Sequence, residues 1–121
     1  MSAGGSSEVR VKAILDELFQ EAMNRKPIPT YPKIGTLKAM VDLGDGWHTY
    51  NEVQRELVKV QWSGNIYSLY LARVYPDLIE VDPEKHVRIR PALYPVTKRL
   101  VKGYAEKILQ AVAKKKQELG K

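Results

Sequence analysis

The sequence predicts an α+β domain that is mostly helical, with one two-stranded hairpin, an extra helix at the N-terminus and a long helix at the C-terminus. Apolar residues recur at helical spacing along most of the chain, and two short segments alternate apolar and polar residues as strands do. Gly or Pro stands at most segment boundaries. With 121 residues, 44% of them hydrophobic, the chain can build one domain with a modest core.

The first predicted helix spans residues 8–26, after a lead of residues 1–7 that we expect to be disordered. Ser7 can cap this helix, because a serine oxygen accepts a hydrogen bond from a free N–H of the first turn. Pro27 and Pro29 end the helix. Its apolar stripe consists of Val11, Ile14, Leu15, Leu18, Phe19, Ala22 and Met23.

Two shorter helices follow. One is predicted over Lys33–Asp42 and ends at the turn "GDG". The next begins at "HTYNEVQREL", where Thr49 and Glu52 have the spacing of a capping box. Its expected apolar side is Val53, Leu57 and Val58.

A fourth helix is predicted in "SGNIYSLYLARVYP", capped by Ser63 and closed by Pro76. Residues three or four apart share a helix face. The expected buried stripe is Ile66, Leu69, Tyr70 and Val74. That choice of face turns Asn65, Tyr67, Ser68 and Leu71 outward.

The segments "LIEVD" and "HVRIR" predict a hairpin joined by "PEK". Alternation places Ile79, Val81, Val87 and Ile89 toward the core. It leaves Glu80, Arg88 and Arg90 on the outer face.

A long helix is predicted over residues 92–119, about 40 Å if unbroken. One apolar seam follows it at nearly heptad spacing: Val101, Ala105, Ile108, Val112 and Leu119. A helix of this length extends past a small domain, so we expect the seam to form a homodimer. Packing against the N-terminal helix is the alternative.

The positive charge is concentrated at the end of the chain. The total is +6, with −2 over residues 1–83 and +8 over residues 84–121. Such a field attracts polyanions, and nucleic acid is the first candidate. A basic terminus that only improves solubility is the alternative.

The order helix, turn, capped helix, third helix, hairpin resembles the winged helix-turn-helix DNA-binding family, of the multiple-antibiotic-resistance and phenolic-acid-regulator type. The resemblance covers about residues 34–100, within a winged-helix domain set at 33–100. It rests on "TYNEVQRELV" as second helix, "SGNIYSLYLARV" as third and "LIEVD…VRIRP" as wing. In that family the third helix enters the major groove of DNA.

The resemblance implies contacts to duplex DNA from the third helix and the wing. The helix would supply Ser63, Asn65, Tyr67, Ser68 and Arg73, and the wing Lys85, Arg88 and Arg90. Lys98, Arg99 and Lys102 would extend the same basic patch. These residues could instead be ordinary polar surface, and the wing arginines could simply protect an edge strand from aggregation.

No catalytic set is found, so we expect a binding protein rather than an enzyme, without cofactor or metal. The chain has no Cys, and we expect no carboxylate or second histidine at metal-ligand spacing from His48 or His86. The favoured function is a dimeric duplex-DNA binder, either a transcription regulator or a chromatin-type protein, in the cytoplasm on the nucleoid.

Two other functions stay open. One is a winged-helix subunit that binds a protein partner through a Tyr67, Leu71 and Tyr75 stripe. The other is a single-stranded DNA or RNA binder that stacks bases on Tyr or Trp, with Trp62 the candidate. No membrane partner is expected, because no apolar run approaches eighteen residues.

Overall fold

The computed structural model describes residues 3–26, 32–59 and 66–120. In these ranges the chain forms five helices and a two-stranded antiparallel sheet, which confirms a mostly helical α+β architecture. The elements are α1 (Ala3–Met23), α2 (Pro32–Leu43), α3 (Tyr50–Lys59), α4 (Ser68–Val74), β1 (Ile79–Val81), β2 (Val87–Ile89) and α5 (Tyr94–Leu119).

Helix α1 begins earlier than predicted, at Ala3 rather than at Glu8, so residues 3–7 are helical and Ser7 is not the cap. No proline stands before Ser7 to stop a helix, and the two glycines there lower the helix propensity without preventing a helix. Once the packed stripe from Val11 onward fixes the helix, further turns add at little cost. The buried residues of that stripe are Val11, Ile14, Leu15, Leu18 and Ala22.

The turn and the cap between α2 and α3 were predicted correctly. Gly44 and Gly46 have φ of 109° and 148°, a region that favours glycine. The Glu52 N–H donates to Thr49 Oγ1 at 3.1 Å, and the Thr49 N–H donates to Glu52 Oε1 at 3.0 Å. Val58 was assigned wrongly: it is 55% exposed, because the buried side of α3 is narrow.

The sheet is extended by a residue that the sequence analysis missed. His48, just before α3, forms a bridge with Val87, and their backbone N–H and C=O groups exchange two hydrogen bonds of 2.9 Å. Val87 is therefore covered on its outer side and buried, whereas its partner Val81 lies at the sheet edge and is 44% exposed. The expectation that Val81 faces the core was wrong.

Helix α5 packs on α1 and α2 of its own chain. The seam residues Val101, Ala105 and Ile108 are fully or almost fully buried there. Tyr104 donates a hydrogen bond from its hydroxyl to Asp16 and lies edge-on to Phe19 of α1. These seam residues cannot also form a dimer contact unless α1 moves away.

The end of the seam behaves differently. Val112 is partly buried, and Leu119 is 58% exposed. Residues 113–120 are exposed on every side of the helix.

Within the described ranges, no helix is both long and apolar enough to cross a membrane.

Candidate nucleic-acid interface

Helix α4 is attached to α2 by a buried threonine. The Thr36 hydroxyl donates to the Pro32 carbonyl oxygen at 2.5 Å and accepts the Tyr67 N–H at 3.2 Å. Since Tyr67 directly precedes α4, this second bond fixes where the helix begins. The short strands β1 and β2 pack against the same helix.

The rotation of α4 about its axis differs from the prediction. Ser68, Leu71, Ala72 and Tyr75 are buried, whereas Leu69 is 42% and Val74 is 41% exposed. The segment contains two stripes at helical spacing, and the one with two small residues faces inward, because Ser68 and Ala72 let the helix approach its neighbours closely.

This rotation removes Ser68 from the candidate contacts. It also removes the main support for a protein-binding stripe, since Leu71 and Tyr75 are 1% and 5% exposed. Ser63, Asn65 and Trp62 lie outside the described residues.

The outer side of α4 carries one cation next to a ring. The Arg73 guanidinium lies 5.7 Å from the centroid of the Tyr70 ring, and the Lys33 ammonium of α2 lies 4.6 Å from the same centroid. Tyr67 packs edge-on against Tyr70. Burial lowers the pKa of Lys33, but the hydrogen bond and negative charge of Glu21, together with Tyr70, outweigh it and raise the pKa overall, so Lys33 stays charged. Arg73 is exposed and available to a phosphate.

The two arginines of the hairpin share one carboxylate. Arg88 Nε donates to Glu80 Oε1 at 2.6 Å, and Arg90 Nη1 lies 3.4 Å from Glu80 Oε2. Arg88 also stacks on Trp47, with its guanidinium carbon 4.4 Å from the ring centroid. Arg90 Nε donates to the Pro76 carbonyl oxygen at 2.8 Å. Both cations therefore face outward as predicted, but they are restrained and partly neutralised.

The hairpin tip holds an acidic and a basic side. Lys85 is exposed, with a φ of 70° that is rare for a residue with a side chain. The His86 N–H and ring Nδ1–H both donate to Asp82, at 2.8 and 3.0 Å. Burial raises the pKa of Asp82, but these hydrogen bonds outweigh that effect and lower it.

The statement that His86 lacks a carboxylate at ligand spacing was wrong. Ligand atoms of Asp82, Glu84 and His86 lie within 4.8 Å of one another. Glu84 is 80% exposed, and acidic turns of this kind occur often without a metal, so the cluster does not define a metal site. His48 is buried, and its Nε2–H donates to the Gly44 carbonyl oxygen at 2.7 Å, which is a structural role.

The three cations at the start of α5 do not form one patch. Arg99 is paired with Glu8 of α1, whereas Lys98 and Lys102 line a groove against α2. The main neighbours of α5 are α1 and α2 rather than α4 or the hairpin. The predicted extension of the hairpin patch into α5 is therefore divided between two sides of that helix.

The ion pair between Glu80 and Arg88 could have been predicted from the sequence. Glu80 and Arg88 are directly paired across the hairpin, and that register follows from the alternation of "LIEVD" and "HVRIR". The Lys33–Tyr70 contact has no such signal, because it joins two helices distant in sequence.

Comparisons with known proteins do not assign the chain to a family. No family model matches it, and neither the curated proteins nor the solved structures contain a match.

Proposed function

We propose that this chain is a winged-helix protein that binds duplex DNA, mainly through the phosphate backbone. The support for the fold is the order α2, glycine turn, α3, α4, hairpin, which is the order on which the resemblance rests. The His48 bridge to Val87 ties the start of α3 to the hairpin. In this interpretation α4 is the third helix and β1–β2 the wing.

One observation supports the proposal that the chain binds DNA. A helix with an exposed cation, Arg73, packs directly against a hairpin whose outer face carries Arg88, Arg90 and Lys85. Arg90 bonds to the carbonyl of Pro76, in the turn that follows α4, so this hairpin cation is tied to the chain three residues after Arg73. Such a surface suits two neighbouring stretches of phosphate backbone.

The described part of α4 favours weak sequence reading. Its exposed residues include Leu69, Arg73 and Val74, and only Arg73 can donate to a base edge. The prediction that Asn65 reads adenine lies outside the described residues and stays a prediction. We therefore favour a chromatin-type binder over an operator-specific regulator.

The test is a titration of the full chain with random-sequence duplex, single-stranded DNA and RNA at two salt concentrations. We expect tightest binding to duplex, with log affinity falling linearly with log salt. Arg88→Gln with Arg90→Gln should flatten that slope by up to about two phosphate contacts. A wild-type chain that binds no duplex at low salt refutes the proposal.

A second function has one observation in its favour. Leu69 and Val74 are exposed apolar residues on α4, and such residues are often found where a protein partner binds. Leu69→Glu separates the two functions. If α4 faces DNA, the added negative charge should weaken duplex binding about tenfold or more; unchanged binding would favour a protein partner on this face.

A further inference from the structure

A second group of cations lies where α1 ends and the last turns of α5 pass beside it. An open cavity of about 280 Å³ is lined there by Met23, Arg25, Lys26, Ala111, Lys114, Lys115 and Glu118. The cations come from positions about ninety residues apart in sequence, so the fold brings them together. We call Arg25, Lys26, Lys114 and Lys115 the basic end.

The basic end is only partly neutralised by the protein. Four cations and one carboxylate line the cavity, and that carboxylate, Glu118, lies 3.3 Å from Lys115. Arg25 lies 3.6 Å from Glu21, which also binds Lys33 at 2.6 Å. Within the described part of the chain, Lys26 and Lys114 have no carboxylate partner. Like charges held this close repel one another, and a bound anion would relieve that repulsion.

The basic end is distant from the hairpin. Arg10 of α1 binds Asp77, two residues before β1, and from Arg10 to Met23, which lines the cavity of the basic end, the helix rises about 20 Å. That distance exceeds the Debye length of about 8 Å at physiological salt, so the charges of the basic end are largely screened from those of the hairpin. Residues 113–120 are exposed around the whole helix, which leaves room for a large ligand.

We propose that the basic end binds the phosphate backbone of a second DNA duplex, so that one chain holds two duplex segments together. This inference rests on the proposed function, because the first duplex is held by the α4–hairpin surface. Two neighbouring cations on each of two chain segments line one open cavity, and a phosphate backbone, with its closely spaced charges, can contact several members of such a cluster.

The experiment measures bridging by the full-length chain. One random duplex is immobilised on beads, the second carries a fluorophore, and the protein links the two. The variant is Lys26→Gln with Lys114→Gln. Its control is Lys12→Gln with Lys107→Gln, which removes the same charge from α1 and α5 but at a different groove. Single-duplex affinity and sedimentation are measured for each protein.

We expect wild type and control to capture the fluorescent duplex, and we expect the Lys26/Lys114 variant to capture at least about tenfold less of it. All three should bind a single duplex to within about threefold. Wild-type protein that binds one duplex but captures no second overturns this inference alone, whereas a failure to bind any duplex overturns the proposed function. Bridging that is equal in variant and control also overturns the inference, and would follow if a dimer joined two α4–hairpin surfaces.

Discussion

Replacing Glu80 with Gln tests whether the hairpin cations contact DNA. In the structure one carboxylate holds two guanidinium groups, at 2.6 Å from Arg88 and 3.4 Å from Arg90. The side chain of Glu80 is 24% exposed, so it also lies close to where a phosphate would bind. Glutamine keeps the shape and one hydrogen-bond acceptor but removes the negative charge. The three side chains then carry a charge of +2 in place of +1.

The expected gain follows from the charge. One additional phosphate contact steepens the salt slope by about 0.9 and, at about 0.1 M salt, strengthens binding about three- to tenfold. This corresponds to about 0.7–1.4 kcal/mol. The folded state should lose less than about 1 kcal/mol, since the pairs are partly exposed and screened. Fluorescence anisotropy with a random duplex, from low to moderate salt, measures both affinity and slope.

The matched control is Glu84→Gln, which removes one negative charge from the hairpin tip, where neither arginine is bound. If it strengthens binding as much as Glu80→Gln does, the gain comes from the general field and not from released arginines. The idea that Glu80 restrains the two arginines is wrong if Glu80→Gln leaves affinity and salt slope unchanged. It also fails if the gain persists when Arg88→Gln and Arg90→Gln are added.

Three further predictions concern stability. Thr49→Ala removes a side-chain bond of the capping box and should cost about 1 kcal/mol in urea unfolding; no change would mean that water replaces it. Ile108→Ala should cost about 2–5 kcal/mol even in a monomer, because Ile108 is fully buried within one chain, and an unchanged midpoint with altered sedimentation would instead support the dimer seam. Burial, and then the negative charge of Glu17, raise the pKa of Tyr75 to about 12. Its contribution to stability is therefore complete below pH 10 and lost toward pH 12, a fall that Tyr75→Phe but not exposed Tyr50→Phe should reduce.

The elements that were predicted well depend on local interactions. The capping box at Thr49, the glycine turn and the hairpin register each involve residues a few positions apart, and the sequence shows those residues directly. The His48 bridge was missed because a strand of one residue has no alternation to detect.

The face of α4 was predicted wrongly for a different reason. Hydrophobicity alone favoured the stripe with Leu69 and Val74, whereas the structure buries the one with Ser68 and Ala72. Small residues contribute little apolar area, so a pattern of apolar residues undervalues them. Their effect comes from the close approach of α4 to its neighbours, which only the tertiary structure shows.

The positions of the candidate site residues also depend on tertiary contacts that the sequence does not show. The outward direction of Arg88 and Arg90 followed from alternation, but the partner of Arg99, Glu8, lies on an element distant in sequence. A charge sum over residues 84–121 could not show that α5 would separate Lys98 from Arg99. Net charge therefore indicates a class of ligand, and it does not indicate the place where such a ligand would bind.

Arginine and lysine differ in how many of their side chains already have a partner in this protein, and this difference affects what the chain can recognise. Six of its seven arginines already have a carboxylate or an aromatic ring as partner, Arg55 being the exception within the described residues. Most described lysines have no carboxylate partner, and the ion pairs involve only Lys33, Lys38, Lys59 and Lys115. Arginine is the side chain that reads a guanine edge with two hydrogen bonds, whereas lysine acts as a point charge toward phosphate. On the α4–hairpin surface Glu80 holds both Arg88 and Arg90, and a chain whose unpaired cations are mainly lysines gains affinity for any duplex and little preference among sequences. That is the behaviour expected of a protein that organises DNA rather than one that selects an operator.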